Sequence, residues 1–218
     1  MNTIRCQVVV LALGALFTQG AIADDNLWFG AKAGTLGLGI EATWRPVPYL
    51  DLRAGLNKFD YDSSGAQAGI DYNSDLKLDS LYVTANFRVP LQPLRFTIGI
   101  FSNGNELVMA SQGAITNIGG ATYLPSEIGT LSSTTSFEST APYLGIGFDF
   151  RVFNKVGINL DLGVLWQDSP IVTMTADGTL AGDPTFDAAL EMERLELESD
   201  LDDFKVYPVI SLGFAVNF

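Results

Sequence analysis

The chain has no histidine, and its single cysteine is Cys6. Without histidine it lacks the side chain whose unperturbed pKa suits acid–base work near neutral pH. Cys6 lies near the N-terminus, in a segment expected to be removed. The remainder then has no thiol, which excludes a disulfide framework, thiolate metal sites and cysteine nucleophiles. Zinc and copper, which favour His and Cys ligands, are disfavoured on the same ground. No Asp-x-Asp-x-Asp-Gly loop is present for calcium. Basic residues are scarce: 12 Lys and Arg stand against 25 Asp and Glu, a net charge of −13. Phosphate contacts need clustered Lys and Arg, so nucleic acid is excluded as a partner. No apolar run outside the N-terminus approaches the ~20 residues of a membrane helix.

The N-terminus has its own logic. Met1 to Gln7 carries one charge, Arg5, and Val8 to Phe17 is an apolar run. Thr18-Gln19-Gly20 leads into Ala21-Ile22-Ala23 and then Asp24. A basic start, a short apolar run and small residues two apart predict a secretory signal peptide over residues 1–23, cleaved after Ala23. Cys6 precedes the apolar run, so it is not the acylated cysteine of a lipoprotein. The domain proper is then residues 24–218, and its charge becomes −14 because Arg5, the one charge of the signal, leaves the whole-chain −13.

What is present is alternation. Leu36, Leu38, Ile40, Ala42 and Trp44 share one face, opposite Gly37, Gly39, Glu41, Thr43 and Arg45. Side chains alternate across a strand, so this is a period of two. The pattern recurs at Leu50–Asn57, Leu81–Val89, Leu94–Ile100, Leu144–Val152, Val156–Trp166 and Ile210–Phe218. The apolar face is nearly free of charge over the length of a tilted membrane strand. The other face is rich in Gly and in charges of both signs, as the wet interior of a small barrel requires. Connections also alternate. Pro46-Val47-Pro48-Tyr49, Pro90-Leu91-Gln92-Pro93 and Phe153-Asn154-Lys155 are short, whereas residues 62–75, 110–137 and 178–204 read as long loops. Short turns on one side and long loops on the other are the mark of a transmembrane barrel.

Seven strands are plain, and single-chain bacterial barrels use an even number. The eighth is expected at Leu27 to Ala33, turning near Gly34-Thr35 so that Phe29, Ala31 and Ala33 face lipid. One long strand from Leu27 to Arg45 is the alternative. The expected fold is all-β: an eight-stranded antiparallel transmembrane β-barrel. Leu107–Ala110 and Ile171–Thr175 are apolar or β-branched enough to carry strands beyond the membrane. Asp183 suits a helix cap and Pro184 a first turn. Phe186, Leu190, Leu197, Leu201 and Phe204 recur at helical spacing among acids, which predicts an amphipathic helix near 184–203 in the last long loop, short or bent because positions 193 and 194 break the stripe.

These features carry a resemblance. Lys32-Ala33-Gly34-Thr35-Leu36-Gly37-Leu38-Gly39, Gly163-Val164-Leu165-Trp166-Gln167, Asp200-Leu201-Asp202-Asp203-Phe204-Lys205, Tyr207-Pro208-Val209 and Ser211-Leu212-Gly213-Phe214 resemble small outer-membrane barrels of the OmpW/OmpX-like type. More closely, they resemble a group of little-characterised proteobacterial outer-membrane barrels. The resemblance implies the cell outer membrane of a Gram-negative bacterium and contact with its lipid and lipopolysaccharide. Leu212, Phe214, Val216 and Phe218 resemble the last-strand signal read by the barrel-assembly machinery. No catalytic residue carries over.

Barrel enzymes of the outer membrane, such as lipid A deacylases, phospholipases and surface proteases, generally rely on a histidine. Ser80, Ser102 and Ser211 have no such base to activate them. The protein is therefore read as non-enzymatic, with no cofactor and no metal. The inward charges are Glu41, Arg45, Asp51, Arg53, Arg88, Arg95, Asp149, Arg151 and Asp161. They form a polar lumen network with two readings: a salt-bridged plug, or a gate or small-anion site drawn by the arginines. Two functions follow: a narrow channel for small or apolar solutes, or a closed structural or adhesive barrel acting through its extracellular loops. The acidic helix could bind a partner or bridge ions, because lipopolysaccharide phosphates repel acids unless divalent ions intervene.

Overall fold

The computed structural model describes residues 26–67, 70–113, 116–152 and 155–217. The expected signal segment, the turn residues Phe153 and Asn154, and the terminal Phe218 lie outside the described residues. The strands are β1 (Leu27–Gly34), β2 (Gly37–Val47), β3 (Leu50–Gln67), β4 (Ile70–Arg88), β5 (Leu94–Asn103), β6 (Glu106–Gln112), β7 (Thr116–Ile118), β8 (Ala121–Tyr123), β9 (Thr130–Ser136), β10 (Thr140–Val152), β11 (Val156–Trp166), β12 (Ile171–Ala176) and β13 (Val206–Asn217). A single helical turn α1 (Pro125–Ile128) precedes β9, and a longer helix α2 (Pro184–Asp200) follows β12.

Eight strands close a barrel in the order β1, β2, β3, β4, β5, β10, β11, β13, all antiparallel. The first strand seals against the last, with Trp28 opposite Asn217 and Gly34 opposite Ser211. Closure leaves no open edge within the wall, which the absence of water in hydrocarbon demands. The outward face is the predicted apolar one: Leu81 is 59% exposed, Val83 61% and Leu212 59%. So large an exposed apolar band is stable only in contact with lipid. Among the described residues no helix is long and apolar enough to cross a membrane; the crossing is made by strands.

The eighth strand is the short one, β1, not a single run to Arg45. The chain reverses over two residues, Thr35 and Leu36, with Gly37 at φ +94° supplying the left-handed backbone. Alternation assigns Leu36 to the lipid face. It is instead 5% exposed and packed inside, because in the turn it is freed from strand alternation.

The long connections are more ordered than their composition predicts. Residues 62–75 read as a loop, yet β3 and β4 remain paired from Leu50 opposite Phe87 out to Gln67 opposite Ile70. Ser63, Ser64, Ser74 and Asn73 give no hydrophobic alternation there, since both faces meet water, but the backbone ladder holds. Beyond Asn103, β6 takes over from β5 alongside β4. The join is a break at Gly104-Asn105, where the Asp79 N–H donates to Asn105 Oδ1 and its carbonyl accepts from Gly104. β9 then pairs β6, and β12 pairs β9. One side of the barrel thus rises into a five-stranded sheet, β3-β4-β6-β9-β12. The opposite side stops at the two-residue β1–β2 turn.

Helix α2 covers this headpiece. Asp183 caps it, accepting from the backbone N–H groups of Thr185 and Phe186, with Pro184 in the first turn. Phe186 and Ala189 bury against Ile118 and Ile128. The helix runs unbroken through positions 193 and 194. There Glu193 accepts from Gly119 N–H, and Arg194 pairs with Glu191 and Glu198. Polar residues interrupt the stripe because they anchor it. Phe204, expected in the stripe, is 55% exposed, since it lies past the helix in a 3-10 turn, Asp202–Lys205.

Candidate functional site

The lumen is filled in two storeys. The lower storey, towards the short turns, is ionic. Each strand contributes alternate residues inward, so Glu41, Asp51, Arg53, Arg95, Asp149 and Asp161 meet across the axis. Arg53 lies 3.2 Å from Asp149, 3.6 Å from Glu41 and 3.9 Å from Asp161. Arg95 lies 3.0 Å from Asp149 and forms a short charged hydrogen bond to Asp161. Arg95 also donates to Asn86 Oδ1 and Thr97 Oγ1, each at 2.9 Å. Arg95 and Asp51 are each only 1% exposed. Burying such groups unpaired would be very costly, so the density of pairing is what allows the storey to exist.

Space for these side chains comes from glycine. A Cβ on Gly147 would collide with the Arg95 guanidinium, and one on Gly163 with the Tyr143 hydroxyl. The Gly-rich inner face read in the sequence is the steric complement of the large residues opposite.

At the lower mouth, Arg45 grips Asp51 with two hydrogen bonds, 2.6 and 3.2 Å long. Arg88 is 3.8 Å from the same carboxylate. Arg151 is not enclosed with the others. It is exposed at the rim, its guanidinium 5.4 Å from the centre of the Trp28 ring. A cavity of about 30 Å³ lies between Trp28, Arg53 and Asn159, room for about two waters. Below it the mouth widens into a dish of about 530 Å³ bounded by Tyr49, Arg88, Pro90 and Arg151.

The upper storey is apolar. Tyr82, Phe101, Ala141, Tyr143, Leu165 and Val209 form one buried cluster with Leu36. Tyr82 stacks on Phe101 with ring centres 4.9 Å apart, and Phe101 meets Tyr143 at 5.2 Å. The β1–β2 turn is fastened over the cluster: the Tyr207 hydroxyl donates to the Thr35 carbonyl at 2.7 Å, and Thr35 Oγ1 donates to Pro208 O at 3.0 Å. Glu41 couples the storeys by accepting from the Tyr82 hydroxyl at 2.8 Å. Lys32 does the same, 3.7 Å from Glu41 and 3.8 Å from the centre of the Tyr82 ring.

Strand alternation points to the ionic residues, and the barrel brings Glu41, Arg53, Arg95, Asp149 and Asp161 together. It passes over Phe101, Tyr143, Leu165 and Val209. Their signal is a local loss of alternation, with apolar residues on both faces at Ile100-Phe101, Val164-Leu165-Trp166 and Val209-Ile210. Of the last-strand residues, Leu212 and Phe214 face outward and Val216 is half-buried.

Above the rim the chemistry changes sign. Six of the 25 acids are Asp24, Asp25, Glu41, Asp51, Asp149 and Asp161; the remaining 19 belong to the headpiece and the connections above the rim. The bases at that end are Lys58, Lys77, Arg194 and Lys205. Among the described residues no group of three or more acids is placed to hold a metal ion. Glu198 accepts from the Val172 N–H, and Arg194 donates to the Val172 carbonyl. The helix thereby satisfies both backbone groups of Val172 on the outer edge of β12. That backbone hydrogen bond, aided by Arg194, holds the Glu198 carboxyl below the usual glutamate range.

These features define a closed transmembrane β-barrel carrying an ordered headpiece. Two solved structures of Acinetobacter baumannii proteins are similar to it. CarO2 shares 21% identity and a TM-score of 0.58 over 88% of this chain and 98% of that one. CarO shares 21% identity and a TM-score of 0.57 over 88% and 97%. At that identity the likeness is one of fold. No protein-family model and no curated protein matches the sequence.

Proposed function

We propose that the protein is a non-enzymatic outer-membrane barrel with a closed lumen, acting through its extracellular headpiece as a structural or adhesive surface protein. The observation that carries this is the double plug. An ionic storey and an aromatic storey lie in series, and Arg95, Tyr82, Phe101 and Leu165 are each 3% exposed or less. An eight-stranded barrel is just wide enough for its own side chains to fill. The apolar outer band, the short turns at one end and the extended strands at the other support placement in an outer membrane with the headpiece outside. The last-strand residues Leu212, Phe214, Val216 and Phe218 are then offered to the barrel-assembly machinery, and the outer face to lipid and lipopolysaccharide.

The test is conductance of the refolded protein in a planar bilayer. The expected result is silence from a fully folded barrel. Reproducible steps altered by Arg53→Ala or Arg95→Ala would overturn it. One observation favours a second reading, a narrow passage. The cavity beside Trp28 adjoins the dish at the lower mouth, and Trp28 Nε1, Arg53 Nε and Asn159 Oδ1 are buried there without a hydrogen-bond partner. An entry half therefore exists beneath the aromatic storey. Conductance in Tyr82→Ala together with Phe101→Ala, absent in the parent, would show that the aromatic storey alone blocks it.

A further inference from the structure

Helix α2 carries two apolar stripes, and only one is used. Phe186, Ala189, Leu190 and Leu197 turn towards the headpiece. On the far side, the apolar Ala188, Met192 and Leu195 recur at i, i+4 and i+7, the spacing of a single helix face, and the polar Ser199 ends that face at i+11. All four are exposed, Met192 by 54% and Leu195 by 51%. A helix stabilised only by packing on its sheet has no need of large apolar groups on its solvent face.

The setting selects the partner. The helix holds six acids, Asp187, Glu191, Glu193, Glu196, Glu198 and Asp200, against one base, Arg194. Glu191 and Glu196 flank the outer stripe, one on each side, and both are exposed. A second copy of this chain would bring two strongly acidic headpieces together, and like charges in contact oppose that. A cationic segment with its own apolar face satisfies both the stripe and the field around it. The face is also pre-organised. The Asp183 cap, the Glu193–Gly119 hydrogen bond and the Arg194 and Glu198 contacts to Val172 hold the helix before any partner arrives, which lowers the ordering cost of binding.

We infer that the outer face of α2, centred on Met192 and Leu195 and bordered by Glu191 and Glu196, docks a basic amphipathic peptide segment of a partner protein. This rests on the reading of the headpiece as the working surface, and names its partner chemistry.

The experiment uses the full refolded chain in phosphatidylcholine nanodiscs, with empty nanodiscs as the blank. The probes are a labelled amphipathic Lys/Leu helix peptide and a polylysine of equal charge, read by fluorescence anisotropy. The amphipathic peptide is expected to bind, more weakly in high salt. Met192→Ser with Leu195→Ser should weaken it about tenfold or more while leaving polylysine unchanged. Glu191→Gln with Glu196→Gln should weaken both probes. Heat-shifted gel mobility checks that each variant is folded. Equal binding of the amphipathic peptide by parent and Met192→Ser/Leu195→Ser overturns the inference. So does self-association of the parent that this variant abolishes, because the occupant would then be a second copy. Failure here with a silent barrel would leave the closed-lumen reading standing, whereas an open, conducting barrel would remove that reading whatever the peptide does.

Discussion

The two storeys of the lumen close the same tube by different physics. The lower one fills its section with paired charge around a small cavity. It works because Arg53 and Arg95 each meet more than one carboxylate, and because Gly147 leaves room for the Arg95 guanidinium. The upper one excludes water with area, through Tyr82, Phe101, Tyr143 and Leu165. A charged storey is unforgiving, since deleting one partner leaves another uncompensated. An apolar storey loses transfer energy and gains a cavity, but strands no charge.

The contrast can be tested in order of effect. Arg95→Ala leaves Asp149 and Asp161 short of their main partner in a buried site. It should cost about 3–5 kcal/mol of folding free energy, read from urea unfolding in lipid bilayers. Leu165→Ala, at a position with no exposure, should cost about 2–4 kcal/mol in the same assay. If the two storeys are independent, the double variant should show the sum of the single effects. Tyr82→Phe removes only the hydrogen bond to Glu41 that joins the storeys. It should cost about 1.5–3 kcal/mol, the range for a bond to a charged acceptor, and near-additivity with Arg95→Ala would show that the storeys are not coupled through it. Asp183→Ala, a cap loss in the headpiece, should cost about 1 kcal/mol. It should appear as faster proteolysis of α2 with the barrel's heat-shifted mobility unchanged.

The smallest effect concerns pH. The Glu198 carboxyl is held below its usual range by the Val172 N–H, with help from Arg194. Its contribution is therefore present above the ordinary glutamate pKa and lost as pH falls through the lowered value. Acid proteolysis of α2 should rise in that window for the parent and be already elevated at neutral pH in Glu198→Gln. An identical pH response in both would show that Glu198 does not hold the β12 edge.

Much of the barrel is legible in the amino-acid sequence. Period-two alternation from Leu81 to Val89 or from Val156 to Trp166 determines which residues meet lipid and which meet the lumen, because a strand has only two faces. The ionic residues of the lower storey follow from the same rule. Asp183-Pro184 and the spacing of Phe186, Leu190 and Leu197 locate the helix, since helix caps and stripes are local. The paired extension at Ser63, Ser64, Asn73 and Ser74 is not legible: its pairing rests on the backbone ladder, and these polar side chains leave no hydrophobic pattern. Nor is the burial of Leu36, whose direction is set by a turn that β13 fastens from 173 residues away in sequence. Local pattern is enough for a membrane-spanning strand barrel with a charged inner face and an acidic end at the long connections. Which inward residues share a storey comes from the tertiary structure alone. A storey is a set of inward side chains at the same height, and height across eight strands is set by register, which no single strand contains.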